Sequence, residues 1–199
     1  MNGIIIIIII IIIIIIIIII IIIIIIQDAA WDDGFVYVNN TKNISVRFLR
    51  KKIIQCRVQA IVISQNRKLD PSHGCAKVVL NAAGGSVWDD LKKQTGGNCQ
   101  EPGTVLVTTG GALEEISHII HIVAPIWANY KNRTGKMECL YRLQKALLTC
   151  FQKCVEKSLT SVAFPAIGTG TLYFYYHCVH TIQLICSYIT SVCGTENRV

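Results

Sequence analysis

From residue 58 onward, short apolar runs alternate with segments whose apolar residues recur every three or four positions. The short runs predict strands. Residues 58–63 and 162–167 are almost continuously apolar, as strands covered on both faces are. Residues 104–109 are rich in β-branched side chains and end at Gly110-Gly111. His118–Val123 is a further strand, closed by Pro125. The periodic segments predict helices. Ala76, Val79, Leu80 and Ala83 share one face, with Asp70 or Ser72 as candidate caps and Gly84-Gly85 as the stop. Residues 88–94 make a short helix. Residues 137–157 make the clearest one, with Leu140, Leu143, Leu147, Phe151, Cys154 and Val155 on its apolar face. A last helix is expected over about residues 176–191. Upstream, residues 35–38 and 44–49 read as two strands around the polar turn 39–43, with Ile44, Val46 and Phe48 on one face. Strands alternating with helices predict an α/β sandwich with a mixed, largely parallel sheet.

In such sheets ligands bind beyond the carboxyl ends of the strands. Two loops qualify by position, residues 66–75 and residues 168–174. The second follows an apolar strand directly and opens on Gly168-Thr169-Gly170. Glycines there let the backbone turn sharply and approach a ligand. A helix start beyond them adds unpaired amides and the positive end of a dipole, which together suit a phosphate. A tight turn with no ligand would carry the same residues.

Composition adjusts this picture. The chain has 199 residues and a formal net charge of +7, which suits one domain with appendages and a polyanionic or phosphorylated ligand. There is no aromatic RNA-binding motif, zinc-finger spacing or arginine-rich run, so a solvated basic surface is the plainer reading of the charge. Nine cysteines are scattered without a framework, as reduced thiols of a nuclear or cytoplasmic protein would be. Cys150 and Cys154 lie one helical turn apart and could join His177 or Cys178 at a metal, but small buried apolar roles suit them better.

Residues 4–26 are an unbroken isoleucine run. As a helix it would reach about 35 Å, more than the ~30 Å hydrocarbon core of a bilayer. Lys42 and Arg47 follow the run and no base precedes it, so an anchor would leave the folded part in the cytoplasm. A homopolymer lacks the aromatic belt and small packing residues of a real span, and a translated simple repeat is the alternative. Residues 1–30 are therefore set apart from a domain expected over residues 31–199.

Three ordered motifs carry a family resemblance. Val58-Gln59-Ala60-Ile61-Val62, then Asn66, Gly74-Cys75-Ala76-Lys77 and Ala82-Ala83-Gly84, resemble the opening signature of macrodomains. Residues 119–127 resemble their central strand, and residues 163–170 their second phosphate loop. The wording is closest to macrodomains of the tandem-macrodomain, mono-ADP-ribosylating members of the poly(ADP-ribose) polymerase family. The resemblance implies a three-layer α/β/α fold that binds ADP-ribose, free or attached to protein, and needs no cofactor. It assigns Asn66 to the distal ribose, and backbone amides of Gly74, Cys75 and Ala76 to the first diphosphate loop. It assigns Gly168, Thr169 and Gly170 to the second loop, and Phe174 to packing against the distal ribose. Loop packing is the alternative role for Asn66, and core packing for Phe174.

Departures from the family pattern bear on activity. Lys52 stands where many macrodomains place an adenine-binding aspartate, and lysine has only donors. Ile63 replaces the first asparagine of the Asn-x-x-Asn pattern, while His73 and Tyr173 replace loop glycines. The resemblance also implies a further strand and helix after Val199, so the domain is expected to lack its last strand and helix. Macrodomains that cleave ADP-ribose from protein often carry an acidic residue where this chain has Ala76. General acid–base help of roughly 10²–10⁴-fold is then missing. The expected function is a reader of ADP-ribosylated proteins. Alternatives are a weak mono-ADP-ribosyl-protein hydrolase, or a decayed domain with weak RNA binding. A membrane is a partner only if residues 4–26 form a true anchor.

Overall fold

The computed structural model describes residues 35–39, 44–49, 51–70, 74–165 and 167. They fall into two units, within residues 1–50 and 51–199. In the first, β1 (Phe35–Asn39) and β2 (Ile44–Phe48) pair antiparallel from Phe35↔Phe48 to Asn39↔Ile44. The expected hairpin is therefore present, with the turn itself outside the described residues. The isoleucine run also lies outside them. Among the described residues no helix is long and apolar enough to cross a membrane.

The second unit is built on a four-stranded sheet in the order β4-β5-β3-β6. Its strands are β3 (Ala60–Gln65), β4 (Val105–Thr109), β5 (His118–Val123) and β6 (Val162–Ala163). β3 runs parallel to both β5 and β6, and β4 closes one side antiparallel to β5. The sheet is mixed and mostly parallel. Its two central strands are mostly apolar, His121 of β5 being the buried polar exception in their middles, because helices cover both faces. Ile61, Ile63, Ile119 and Val123 pack against α1 (Gly74–Ala83) and α2 (Gly85–Thr95), meeting Val79, Leu80, Ala83, Val87 and Leu91. Ala60, Val62, Ile120 and Ile122 pack against α3 (Arg133–Glu156), meeting Leu143, Ala146, Leu147 and Cys150. The result is three layers, α/β/α. Each fully buried Ile or Leu contributes roughly 1.5–3 kcal/mol by leaving water.

Several boundaries differ from the periodicity, and β3, expected over residues 58–63, runs over Ala60–Gln65. α3 begins four residues before Met137, because Asn132 caps it by accepting from the Gly135 amide at 2.7 Å. Asn132→Ala is expected to cost about 1 kcal/mol, read by urea denaturation. The strand expected over residues 162–167 keeps only two ladder residues. Pro165 has no N–H for a ladder, and the Ile167 amide turns back to the Pro165 carbonyl at 2.8 Å. Gly84-Gly85 does stop α1, but Gly85 also opens α2 directly, with Gly84 at φ +83° between them.

Cys150 and Cys154 are buried in the α3 core, and burial raises both thiols above their ordinary pKa. They serve as the small apolar residues expected of them. Among the described residues no group of His, Cys, Asp and Glu could hold a metal. His177 and Cys178 lie outside those residues.

Candidate ligand-binding site

Because β3, β5 and β6 are parallel, their carboxyl ends lie along one edge of the sheet. Three connections leave from that edge: residues 66–73 after β3, residues 124–132 after β5, and the chain beyond Ala163 after β6. The first of these is the loop singled out from the sequence after β3, and residues 168–174 lie outside the described residues. The crevice outside such an edge is where open α/β sheets bind ligands.

The first loop delivers the chain into α1 at Gly74. Gly74 is exposed, has φ +61°, and has open space where a Cβ would point. The φ favours glycine there, and the space leaves the helix start approachable. The opening turn of a helix has amides with no intrahelical partner. No acidic residue occupies the first turn of α1, so no side chain of that turn offsets the positive end of its dipole. Cys75 is half-buried, and its thiol is pushed above its usual pKa by burial, which keeps it protonated. Ala76 is buried in the core with Val79 and Leu80, so its contribution to a ligand is its backbone.

Asn66 is exposed at the first position after β3, and its side chain is engaged by its own loop. Its Oδ1 accepts from the Lys68 amide at 3.0 Å and the Asp70 amide at 3.3 Å. Its Nδ2 donates to Asp70 Oδ1 at 2.9 Å. The carboxamide thus stands at the edge of the crevice, oriented by an Asx-type turn. The same loop is tied to residues 98–101. Arg67 Nε donates to the Gln100 carbonyl at 3.0 Å, the Gln100 amide donates to the Arg67 carbonyl at 2.7 Å, and Arg67 pairs with Glu101.

Beneath the loop lies a buried polar chain that periodicity did not single out. Gln65 Nε2 donates to the Leu69 carbonyl at 2.5 Å, and its Oε1 stands 2.6 Å from His121 Nδ1. His121 Nε2 is 2.8 Å from Thr108 Oγ1. All three side chains are buried on the α1–α2 face of the sheet. Burial lowers the His121 pKa to about 3, against a smaller upward pull from Asp90, so the ring is neutral. The available signal was a polar residue in each of two apolar strands. Its meaning depends on pairing residues 56 positions apart.

After β5, the loop is held to α3 by Lys136. Its ammonium donates to the Trp127 carbonyl at 2.6 Å and stands 4.1 Å from the centre of the Trp127 ring. Lys52 is exposed ahead of the short 3₁₀ turn Ile53–Gln55. Ile63 is wholly buried, so no side-chain donor reaches the crevice from that position. The structure thus brings Asn66, Gly74, Cys75 and Ala76 to one loop and helix start. Gly168, Thr169, Gly170, Phe174, His73 and Tyr173 lie outside the described residues.

Comparison with known proteins adds four findings. The model of the Macro domain family matches residues 62–182. The chain is 30% identical to an O-acetyl-ADP-ribose deacetylase of Salmonella gallinarum, over 63% of this chain and 67% of that protein. It is 28% identical to the human protein mono-ADP-ribosyltransferase PARP14, over 73% of this chain but only 8% of that much longer protein. A solved Oceanobacillus iheyensis macrodomain with ADP shares the fold at a TM-score of 0.66 and 23% identity, covering 77% of this chain and 81% of that one.

Proposed function

This chain belongs to the Macro domain family, and on that footing we propose that it binds ADP-ribose and acts as a reader of ADP-ribosylated proteins. The observation that carries the reading is the start of α1. It opens on an exposed left-handed glycine at the carboxyl edge of the sheet, with no acidic side chain in its first turn. A pyrophosphate is the dianion such a start suits. The solved macrodomain with ADP and the deacetylase relative, whose name specifies an ADP-ribose ester, support the same ligand class. Asn66 would meet the distal ribose by exchanging its Asp70 contact for sugar hydroxyls, since an amide both donates and accepts.

A reader is favoured over a hydrolase by what stands behind the diphosphate loop. Ala76 offers no base, and Cys75 is held as a thiol. The deacetylase relative favours the second reading, in which the bound ligand itself orients the attacking water. The likeness to one segment of PARP14 is consistent with a polymerase-related origin, and we include that origin in the proposal.

Calorimetric titration separates these readings. ADP-ribose is expected to bind saturably and more tightly than ADP. Asn66→Ala should weaken ADP-ribose about tenfold, the worth of one or two hydrogen bonds, while leaving ADP nearly unchanged. Equal affinity for the two ligands, or no binding by folded protein, would remove the reader assignment. Steady release of acetate from O-acetyl-ADP-ribose would instead establish the hydrolase.

A further inference from the structure

We propose that Gln65 is a positioning residue for the ligand loop: backed by His121 and Thr108, it clamps the Leu69 carbonyl and so fixes how Asn66 is presented. The proposal rests on the ADP-ribose reading for its functional consequence, but the clamp itself is independent of any ligand.

The geometry assigns the protons. The carbonyl of Leu69 can only accept, so the Gln65 group 2.5 Å from it must be the amide nitrogen. That orientation turns Gln65 Oε1 toward His121. The oxygen can only accept, so His121 Nδ1, 2.6 Å away, must carry the ring proton. The ring is neutral, and its Nε2 must therefore accept from the Thr108 hydroxyl at 2.8 Å. Each link has one donor and one acceptor, and the polarity of the whole chain is set by the Leu69 carbonyl. The alternative would put the ring proton on Nε2 and send the Thr108 hydroxyl to the Thr109 carbonyl, 3.0 Å away. Gln65 would then have to flip, and two carbonyl oxygens would face each other at the loop.

The target of the clamp explains why one is needed. Leu69 is buried and has φ +58°, a conformation that a leucine adopts only under constraint. Its amide closes the turn on the Asn66 carbonyl at 3.0 Å. Asn66 Oδ1 then collects the Lys68 and Asp70 amides on either side of it. Without the bond from Gln65, the Leu69 carbonyl is left in a buried setting without this donor, and the left-handed residue loses a restraint. The turn that orients Asn66 should then open.

The test begins with the native chain and needs no ligand. Nitrogen-15 shifts of the His121 ring should show a proton on Nδ1 and a bare Nε2. A proton on Nε2 overturns the proposal. Gln65→Met removes the donor at nearly constant volume. It should speed amide exchange at Lys68 about tenfold while exchange in the α3 core keeps its rate relative to global opening. The same variant should lose about tenfold in ADP-ribose affinity and less than about twofold in ADP affinity, because only the distal ribose reads Asn66. Equal losses for both ligands, or unchanged Lys68 exchange, would mark Gln65 as a core residue only. If the native chain binds no ADP-ribose, the function reading fails while the ring tautomer and amide exchange still decide the clamp.

Discussion

Gly110→Ala is expected to remove a large share of the fold's stability, more than about 4 kcal/mol. A Cβ at Gly110 would lie 1.6 Å from the Ile116 carbonyl oxygen and 2.8 Å from its carbon. Neither atom belongs to a flexible side chain, so the backbone itself would have to move. It is held on both sides. The Gly110 amide donates to the Ser117 carbonyl at 2.8 Å, and the Gly110 carbonyl accepts from Leu113 at 3.2 Å. This turn joins β4 to β5, and β5 is a central strand. Separating the two chains by more than 1 Å would break the ladder beside Thr109↔His118. A cost above about 4 kcal/mol follows, against a typical total of 5–15 kcal/mol. Neighbouring glycines give an internal scale. Gly111 combines φ +61° with a Cβ 2.1 Å from the Ala83 carbonyl, and should be nearly as intolerant. Gly97 has φ +76° but nothing within 4 Å, so alanine there should cost only the backbone term, about 1–2 kcal/mol. Urea unfolding of soluble protein should rank the three with Gly97→Ala far the mildest. A Gly110→Ala protein within about 1 kcal/mol of the native chain would show that the β4–β5 turn can be rebuilt.

The sequence made the layers legible because burial on both faces leaves a long apolar signature. His118–Val123 was read with its true ends, and the face of α3 was read from Leu143, Leu147 and Cys154, although Val155, counted on that face, is exposed. Parallel pairing then followed from alternation with helices, and parallel pairing sets the loop after β3 at the carboxyl edge of the sheet. Asn66 and the Gly74 helix start were singled out as candidates this way, helped by the family resemblance. What stayed hidden depends on contacts distant in sequence. Gly110-Gly111 reads as an ordinary strand stop, and only the folded chain shows the Ile116 and Ala83 carbonyls pressed against it. Gln65 and His121 read as polar interruptions, since neither residue carries a local sign of the other. The early start of α3 was hidden differently. Its cap is an asparagine followed by a polar first turn, so apolar periodicity begins only after the helix does.

Acid should destabilise the protein through His121. The ring is buried and neutral in the folded chain, with its pKa lowered to about 3 from the ordinary 6.5. Unfolded, it regains the ordinary value. Between these two pH values the unfolded state binds a proton that the folded state refuses, so stability falls as pH falls. The contribution is fully present above about pH 6.5 and is lost progressively down to about pH 3. Each unit of that interval is worth about 1.4 kcal/mol, which places the full loss on the order of 5 kcal/mol. Carboxylates also titrate in acid, so the native curve alone does not isolate the ring. A His121→Gln chain does. It should be less stable at pH 7 by roughly 1–3 kcal/mol, because Thr108 and Gln65 lose fitted partners. Having no ring to protonate, it should escape this part of the acid loss. The gap between the two proteins should then shrink by about 1.4 kcal/mol for each unit below pH 6, as read by urea unfolding at pH 7, 5.5 and 4.5. A gap that stayed constant would mean that the folded ring accepts a proton as readily as the unfolded one. The Thr108 hydroxyl would then have to take up the new donor by turning its own proton to the Thr109 carbonyl, 3.0 Å away.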